Sequence, residues 1–273
     1  MYTYVMTLVD EQIGRVVASV PRDQLANTVF VFISDHGEYS GAHGFLAGKL
    51  GTAYREAWHV PMVVVDPSGR FTAHIDVPRN QLTSSVDLMP LLVTLGNGGS
   101  RSWMTGILRE IYGNRLDLLP LLRDPRARGR SHVLFASDEI IPHALNYLHA
   151  PIHVLGVQTP DAKLCTYSHW ALGTARPQVN GMELEFYDYA TSAGQAEMQS
   201  TPDDPRAKAL AKKLFSQYVP QEMQAPLPPP LGTSSRRALE AYIRFTSIVN
   251  AYSIFSLIEQ HKLRDVVDYG LNM

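Results

Sequence analysis

Cysteine is almost absent from this sequence: Cys165 stands alone among 273 residues. A lone thiol excludes an internal disulfide framework and any zinc site built on several cysteines, and it leans towards a reducing compartment. A dominant charge is also lacking, with 24 Lys plus Arg against 26 Asp plus Glu. No global basic field exists to hold nucleic acid, and no acidic tail is present. Nor is there an apolar run fit to cross a bilayer. The longest uncharged stretch late in the chain, residues 245–258, contains Thr, Asn and three Ser and falls short of the roughly 20 apolar residues a span requires. The opening MYTYVMTLVDEQIGRVV has no basic start, apolar core or small-residue cleavage site of a signal peptide. The expectation is a chain without leader, membrane span or nucleic-acid partner, cytoplasmic by default. What is present is an apolar fraction of 45%, enough to bury the core of one large α/β domain or two smaller ones.

Val5, Val9, Ile13, Val16, Val17 and Val20 fall at helical spacing with Asp10, Glu11 and Arg15 opposite, until Pro21 breaks the pattern; this predicts an amphipathic helix over residues 4–20. Val29 to Ile33 and Pro61 to Val65 are short, continuous, β-branched apolar runs, which predict strands covered on both faces and a parallel sheet flanked by helices. In TSSVDLMPLLVTLG, Leu88, Leu91, Leu92 and Leu95 share a helical face, with Ser85 or Asp87 as cap, Pro90 in the first turn and Gly96 as the stop. A short helical piece over residues 116–122 then leads to the charged turn RDPRARGR. Beyond it HVLFASDE, IHVLGVQT, KLCTYSHW and MELEFYDY predict four strands of a small antiparallel sheet. A helix over 205–218, a rigid APLPPPLG spacer and a long helix over 234–263 complete the chain. The boundaries expected are 1–130, 131–200 and 201–273.

The chemistry gathers in NTVFVFISDHGEYSGAHGFLAGK, residues 27–49. Asp35 and His36 end an apolar strand, and ligands of open α/β sheets bind beyond the carboxyl ends of strands. A carboxylate and an imidazole can share a divalent cation, and Gly37 leaves the approach free of a side chain. Oxygen-rich ligation favours Ca2+, Mg2+ or Mn2+, and the histidine admits Zn2+. The same residues also fit a plain turn in which Asp35 bonds nearby amides and His36 is exposed. Lys49 lies between Gly48 and Gly51, yet a phosphate loop is excluded: His43 and Leu50 stand where such a loop needs Gly and Ser or Thr. If Lys49 and a cation face one cavity, they form a cationic clamp for a sulfuryl or phosphoryl group; otherwise Lys49 is a solvated loop lysine. His43 is a third ligand, a proton donor or neither, and Glu38 a surface carboxylate or one behind the ligands. Cys165, in a strand, reads as a small core residue and not as a nucleophile.

Taken in order, NTVFVFISDHGEYSGAHGFLAGKLGTAYREAWHVPMVVV resembles the sulfatase family of the alkaline phosphatase superfamily, which includes phosphonate monoester hydrolases. A strand ends in Asp-His-Gly, a loop brings Gly-Lys, a Y-x-E-A-x-x-V-P segment follows in Tyr54 to Pro61, and a second strand comes next. SSVDLMPLLVTLG is similar to the family's Ser-x-x-Asp-x-x-Pro-x-Leu helix. VQTPDAKLCTYSHW and MELEFYDYATSAGQAEM are similar to its carboxyl-terminal R-T-x-x-x-K-Y and E-L-Y-D strands. The resemblance covers residues 1 to about 200. Its departures are His59, where many relatives carry Arg, and Gln158, where Arg is common.

The resemblance implies an α/β fold: part of an alkaline-phosphatase-like sheet flanked by helices, then a small antiparallel subdomain and carboxyl-terminal helices. It implies Asp35 and His36 as metal ligands, Ca2+ before Mg2+ or Mn2+, and Lys49 as the contact to sulfate and nucleophile. His43 and Glu38 would support them. The family's nucleophile, formylglycine made from Cys or Ser in C/S-x-P-x-R, is not encoded here. Ser19-Val20-Pro21 runs straight into Arg22, Ser200-Thr201-Pro202 into two aspartates, and Cys165 has Tyr167 where Pro is required. The expectation is therefore the carboxyl-terminal portion of a metal-dependent sulfate ester hydrolase, inactive alone, whose substrate is a sulfated or phosphorylated small molecule. Its alternatives are a phosphonate monoester or phosphodiester hydrolase, and a non-catalytic remnant or subunit acting through contacts. The partner expected is the missing amino-terminal half or a second copy.

Overall fold

Helical spacing at the start of the chain produces α1, Tyr2–Ala18, in the computed structural model, which describes residues 2–45, 48–49, 51–138, 151–171, 173–174, 176–223 and 229–251. The helix buries none of its residues; Val5, Val9, Val16 and Val17 are all exposed. Its apolar stripe is present but largely exposed, with only Ile13 of the helix partly buried. The chain divides into two compact units, residues Met1–Lys49 with Arg55–Ser131, and Leu50–Tyr54 with His132–Met273.

In the first unit, β1 (Phe30–Ile33) pairs with β2 (Met62–Val65). The ladder is antiparallel, Phe30 opposite Val65 and Ile33 opposite Met62, which corrects the parallel pairing expected from the two apolar runs. Continuous apolar runs report burial, not strand direction. Even the burial is one-sided here, because Val63 and Val65 are 49% and 51% exposed. Between the strands lies the single-turn α2 (Arg55–Trp58). Packing comes from Leu91 of α3 (Leu88–Gly96) against Leu118 and from Leu121 of α5 (Leu119–Arg123), with Met62, Leu95 and Leu122 around them. A helix not foreseen, α4 (Gly106–Tyr112), precedes α5.

Asp87 does not cap α3 with its side chain. Fully buried, it accepts two hydrogen bonds from the Arg130 guanidinium, one at 2.7 Å, and one from the Leu116 amide at 2.9 Å. A long-range pair thus takes the carboxylate that local reasoning assigned to the helix end. Arg79 fastens the same unit differently: it donates to the carbonyls of Ala73, His74, Val77, Leu121 and Leu122, satisfying oxygens that irregular backbone leaves unpaired.

The second unit holds the antiparallel sheet expected from alternating polarity: β3 (Val133–Asp138), β4 (His153–Gln158), β5 (Ala162–Ser168) and β6 (Glu183–Asp188), in that spatial order. One face packs Leu155, Val157, Leu164 and Phe186 on Ala207, Leu214 and Tyr218. The Phe135 ring lies over Gly156, where a Cβ would come within 2.0 Å of it, so any side chain there would have to displace the ring. After the one-turn α6 (Ser192–Gln195), Asp204 accepts from the Arg206 amide and Pro205 opens α7, Pro205–Lys213.

The helix expected to reach residue 218 instead widens after Lys213 into a π-helix, Leu214–Met223, which contains Pro220. Proline lacks the N–H that regular α-helical bonding needs there. The proline spacer is also partly corrected: Pro229 and Pro230 form the first turn of α8, Pro229–Ala251, where prolines are tolerated. Residues 139–150 and 252–273, including the far end of the long helix and of the uncharged stretch, lie outside the described residues. Among the described residues no helix is long and apolar enough to cross a membrane.

Candidate metal and anion site

β1 delivers Ser34, Asp35 and His36 at its carboxyl end. The Ser34 hydroxyl donates to the His36 carbonyl at 2.7 Å, and Asp35 Oδ1 accepts the His36 amide at 2.8 Å. That amide holds the Asp35 carboxyl below the usual carboxylate range, so the group is anionic at neutral pH. The turn reading of the sequence is thereby satisfied by one oxygen only, and the other remains available for a ligand.

His36 Nδ1 lies 2.9 Å from the Gly37 carbonyl. A carbonyl only accepts, so Nδ1 carries a proton, and Nε2 is the ring nitrogen through which His36 could meet a ligand. This nitrogen faces Asp35 Oδ2 at 3.4 Å. Two acceptors at that distance repel unless a proton or a cation lies between them. Bonds of about 2.4 Å meeting at a right angle place two donor atoms about 3.4 Å apart, so the pair has the spacing to flank one divalent cation. A backbone carbonyl fixing the distal nitrogen is the arrangement that orients metal-ligating histidines. Asp35 is 83% exposed on its side chain, and no group of three or more His, Cys, Asp or Glu fit to hold a metal occurs among the described residues. Among the described residues, Asp35 and His36 have a spacing that could fit a cation but would not enclose it.

Gly37 secures the turn that follows. Its amide donates to the Ala57 carbonyl at 2.8 Å, and a Cβ would lie 1.7 Å from the Glu56 carbonyl oxygen. The glycine is required for close backbone approach to α2. His43, in left-handed conformation at φ 52°, places Nε2 3.2 Å from Glu56 Oε2 with only 9% of its side chain exposed. It thereby ties the loop to α2. The Glu38 carboxylate accepts the Gly48 amide at 2.5 Å, next to Lys49, which is itself half-buried. His59 is exposed and follows α2, donating its amide to the Arg55 carbonyl at 2.7 Å.

Several residues here escaped sequence reasoning. Glu56 lay inside the Y-x-E-A segment without a role, and its only signal was an acidic residue soon after the Gly-Lys pair. In the second unit Tyr54 donates to Glu185 at 3.4 Å, and burial together with that carboxylate raises the Tyr54 phenol above its usual range. Lys163, in the strand similar to R-T-x-x-x-K-Y, is buried in a bidentate pair with Glu197 at 2.8 and 3.1 Å. Cys165 is fully buried, and burial pushes its thiol pKa well up, which suits a core residue and not a nucleophile.

The sulfatase family model matches residues 1–98. An arylsulfatase of Volvox carteri is 31% identical over 199 residues, covering 68% of this chain and 29% of that protein. The uncharacterized sulfatase YidJ of Escherichia coli is 34% identical over 89 residues, 33% of this chain and 17% of that protein. Among solved structures, a phosphonate monoester hydrolase from Silicibacter pomeroyi shares the fold with a TM-score of 0.54 at 21% identity, over 79% of this chain and 39% of that one. The chain therefore spans between 17% and 39% of the length of these proteins.

Proposed function

We propose that this chain, which belongs to the sulfatase family of the alkaline phosphatase superfamily, supplies two metal ligands and an anion-binding lysine to the active site of a sulfate ester hydrolase. The observation that carries the reading is Asp35 Oδ2 facing His36 Nε2 at 3.4 Å, with Nδ1 held by the Gly37 carbonyl. Asp35 and His36 hold a divalent cation, Ca2+ before Mg2+ or Mn2+. When bound, that ion supplies the positive charge that draws in the ester's oxygens. Lys49 adds a second cation for the same group, and the two together offset negative charge that grows on a transferred sulfuryl group. Glu38, Gly37 and the His43–Glu56 pair hold the loops that carry these groups.

The C/S-x-P-x-R motif is not encoded in these 273 residues, so in this reading the nucleophile and the remaining ligands come from a polypeptide segment beyond them. The substrate is a sulfated small molecule. Phosphonate monoester or phosphodiester hydrolysis is the second reading, favoured by the fold shared with the Silicibacter pomeroyi enzyme and by a cradle that accepts either oxyanion.

Complementation tests the proposal. The 273-residue chain is mixed with a polypeptide that carries the nucleophile motif and an acidic metal pair, and hydrolysis of an aryl sulfate and an aryl phosphonate monoester is followed with Ca2+ present. Hydrolysis by the mixture, absent from either part and lost with Asp35→Asn or Lys49→Ala, is the expected result. A mixture that associates and binds metal, yet turns over equally well with both substitutions, refutes the roles given to Asp35 and Lys49.

A further inference from the structure

The loop between the metal-ligand pair and Lys49 is closed by a particular set of bonds. Glu38 Oε1 accepts the Gly48 amide at 2.5 Å and lies 3.4 Å from the Ser40 amide, while the Tyr39 amide donates to the Gly48 carbonyl at 3.1 Å. Both backbone polar groups of Gly48 are thus taken by residues 38 and 39, immediately after His36-Gly37. Gly48 sits at φ 85°, a left-handed conformation that glycine adopts without strain. Tyr39 is buried with its ring 5.1 Å from Phe45, and the intervening turn is held by amides of Gly41 and Ala42 to the carbonyls of Phe45 and Tyr39 at 2.7 and 2.8 Å. The chain leaves this closed base at Lys49.

We propose that Glu38 is a positioning residue: its carboxylate, by holding the Gly48 amide, fixes Lys49 at the base of the loop that carries Asp35 and His36. Lys49 is flanked by Gly48 and Gly51, the residues least able to hold a backbone direction unaided, so the ammonium group needs an external anchor to keep one location. A carboxylate suits this task because an ionised acceptor makes a shorter and stronger bond to an amide than a neutral one. Glu38 acts on Lys49 through the Gly48 amide. The inference rests on the reading of Lys49 as an anion-binding group.

The test uses the whole chain and two NMR readouts, amide exchange at Gly48 and the Lys49 side-chain shift during titration with inorganic sulfate in the presence of Ca2+. In Glu38→Ala, Gly48 exchange is expected to quicken by about 10- to 100-fold, as befits loss of a bond to a charged acceptor. The sulfate midpoint at Lys49 is expected to rise several-fold. Glu38→Gln keeps an acceptor, is expected to fall between, and decides the matter if the alanine variant does not fold. Faster exchange with an unchanged sulfate midpoint means that Glu38 only stabilises the loop, and it overturns the proposal. Unchanged exchange in a folded variant overturns it too. If Lys49 in the unaltered chain ignores sulfate altogether, the anion role of Lys49 fails first, a result distinct from wild-type and variant chains that respond alike.

Discussion

Gly37→Ala tests whether the turn that follows Asp35 and His36 is set by backbone packing against α2. A methyl group there would lie 1.7 Å from the Glu56 carbonyl oxygen and 2.8 Å from its carbon, where ordinary contacts begin near ~3.5 Å. Relief requires the turn and α2 to part by well over an ångström, which breaks the Gly37 amide bond to Ala57, 2.8 Å long in the native chain. The lost hydrogen bond costs about 1 kcal/mol and the overpacking about 1–3 kcal/mol. The lower entropy of an unfolded alanine returns about 0.4–1 kcal/mol. A net loss of roughly 2–3 kcal/mol corresponds to a fall of about 10 °C in the melting of the first unit. Calorimetry of the whole chain measures it, with the second unit expected to melt as before. The matched control is Gly14→Ala in α1, where nothing lies within 4 Å and helix propensity favours alanine by up to about 1 kcal/mol. A Gly37→Ala chain that melts within 2 °C (about 0.5 kcal/mol) of the unaltered one would show that the close approach is not a constraint.

In the second unit, Lys163→Met leaves Glu197 buried beside Tyr189 without its cation; urea unfolding is expected to show a loss of about 3–5 kcal/mol, largely recovered in Lys163→Met with Glu197→Leu. A single variant as stable as the original would mean that the pair contributes nothing. Asp138 gives a pH test. Burial alone would raise its carboxyl pKa, but hydrogen bonds and charge from His153, with Trp170 donating as well, hold it below the usual range. A depressed carboxyl contributes stability above its unfolded pKa, near ~3.9, and loses it as pH falls through the folded value. The stability gap between the original chain and Asp138→Asn should therefore be widest near neutral pH and close below about pH 4. A gap constant from pH 6 to 3 contradicts this.

Local patterns and long-range contacts were unequally legible. The four strands of the second sheet could be read because alternation and turn residues are local; of the leucines placed on one helical face, Leu91 and Leu95 join the core whereas Leu92 is exposed. Strand direction could not be read for β1 and β2, since Val63 and Val65 show the same apolar run whether their outer face is covered or open. Asp87 was misassigned because its partner, Arg130, lies 43 residues away and no local rule links them. Pro220 could be read as a break in α-helical bonding, but no local pattern announced the widening into a π-helix from Leu214 onward. For the candidate site, Asp35, His36 and Lys49 were nominated by residue type and order. Glu38 was placed behind them, but its bond to the Gly48 amide, and the pairing of Glu56 with His43, depend on which backbone or ring the fold brings to each carboxylate.

The central claim is that Asp35 and His36 hold a divalent cation, and the direct measurement is paramagnetic broadening of the histidine ring signals by Mn2+. A pair of side chains on an exposed turn would bind a cation weakly, and broadening detects weak occupancy. The expected result is loss of the His36 signals at millimolar Mn2+ or below, with His132 and His153 unaffected, competition by Ca2+, and no broadening in Asp35→Asn. Sharp His36 signals throughout the titration would contradict the account.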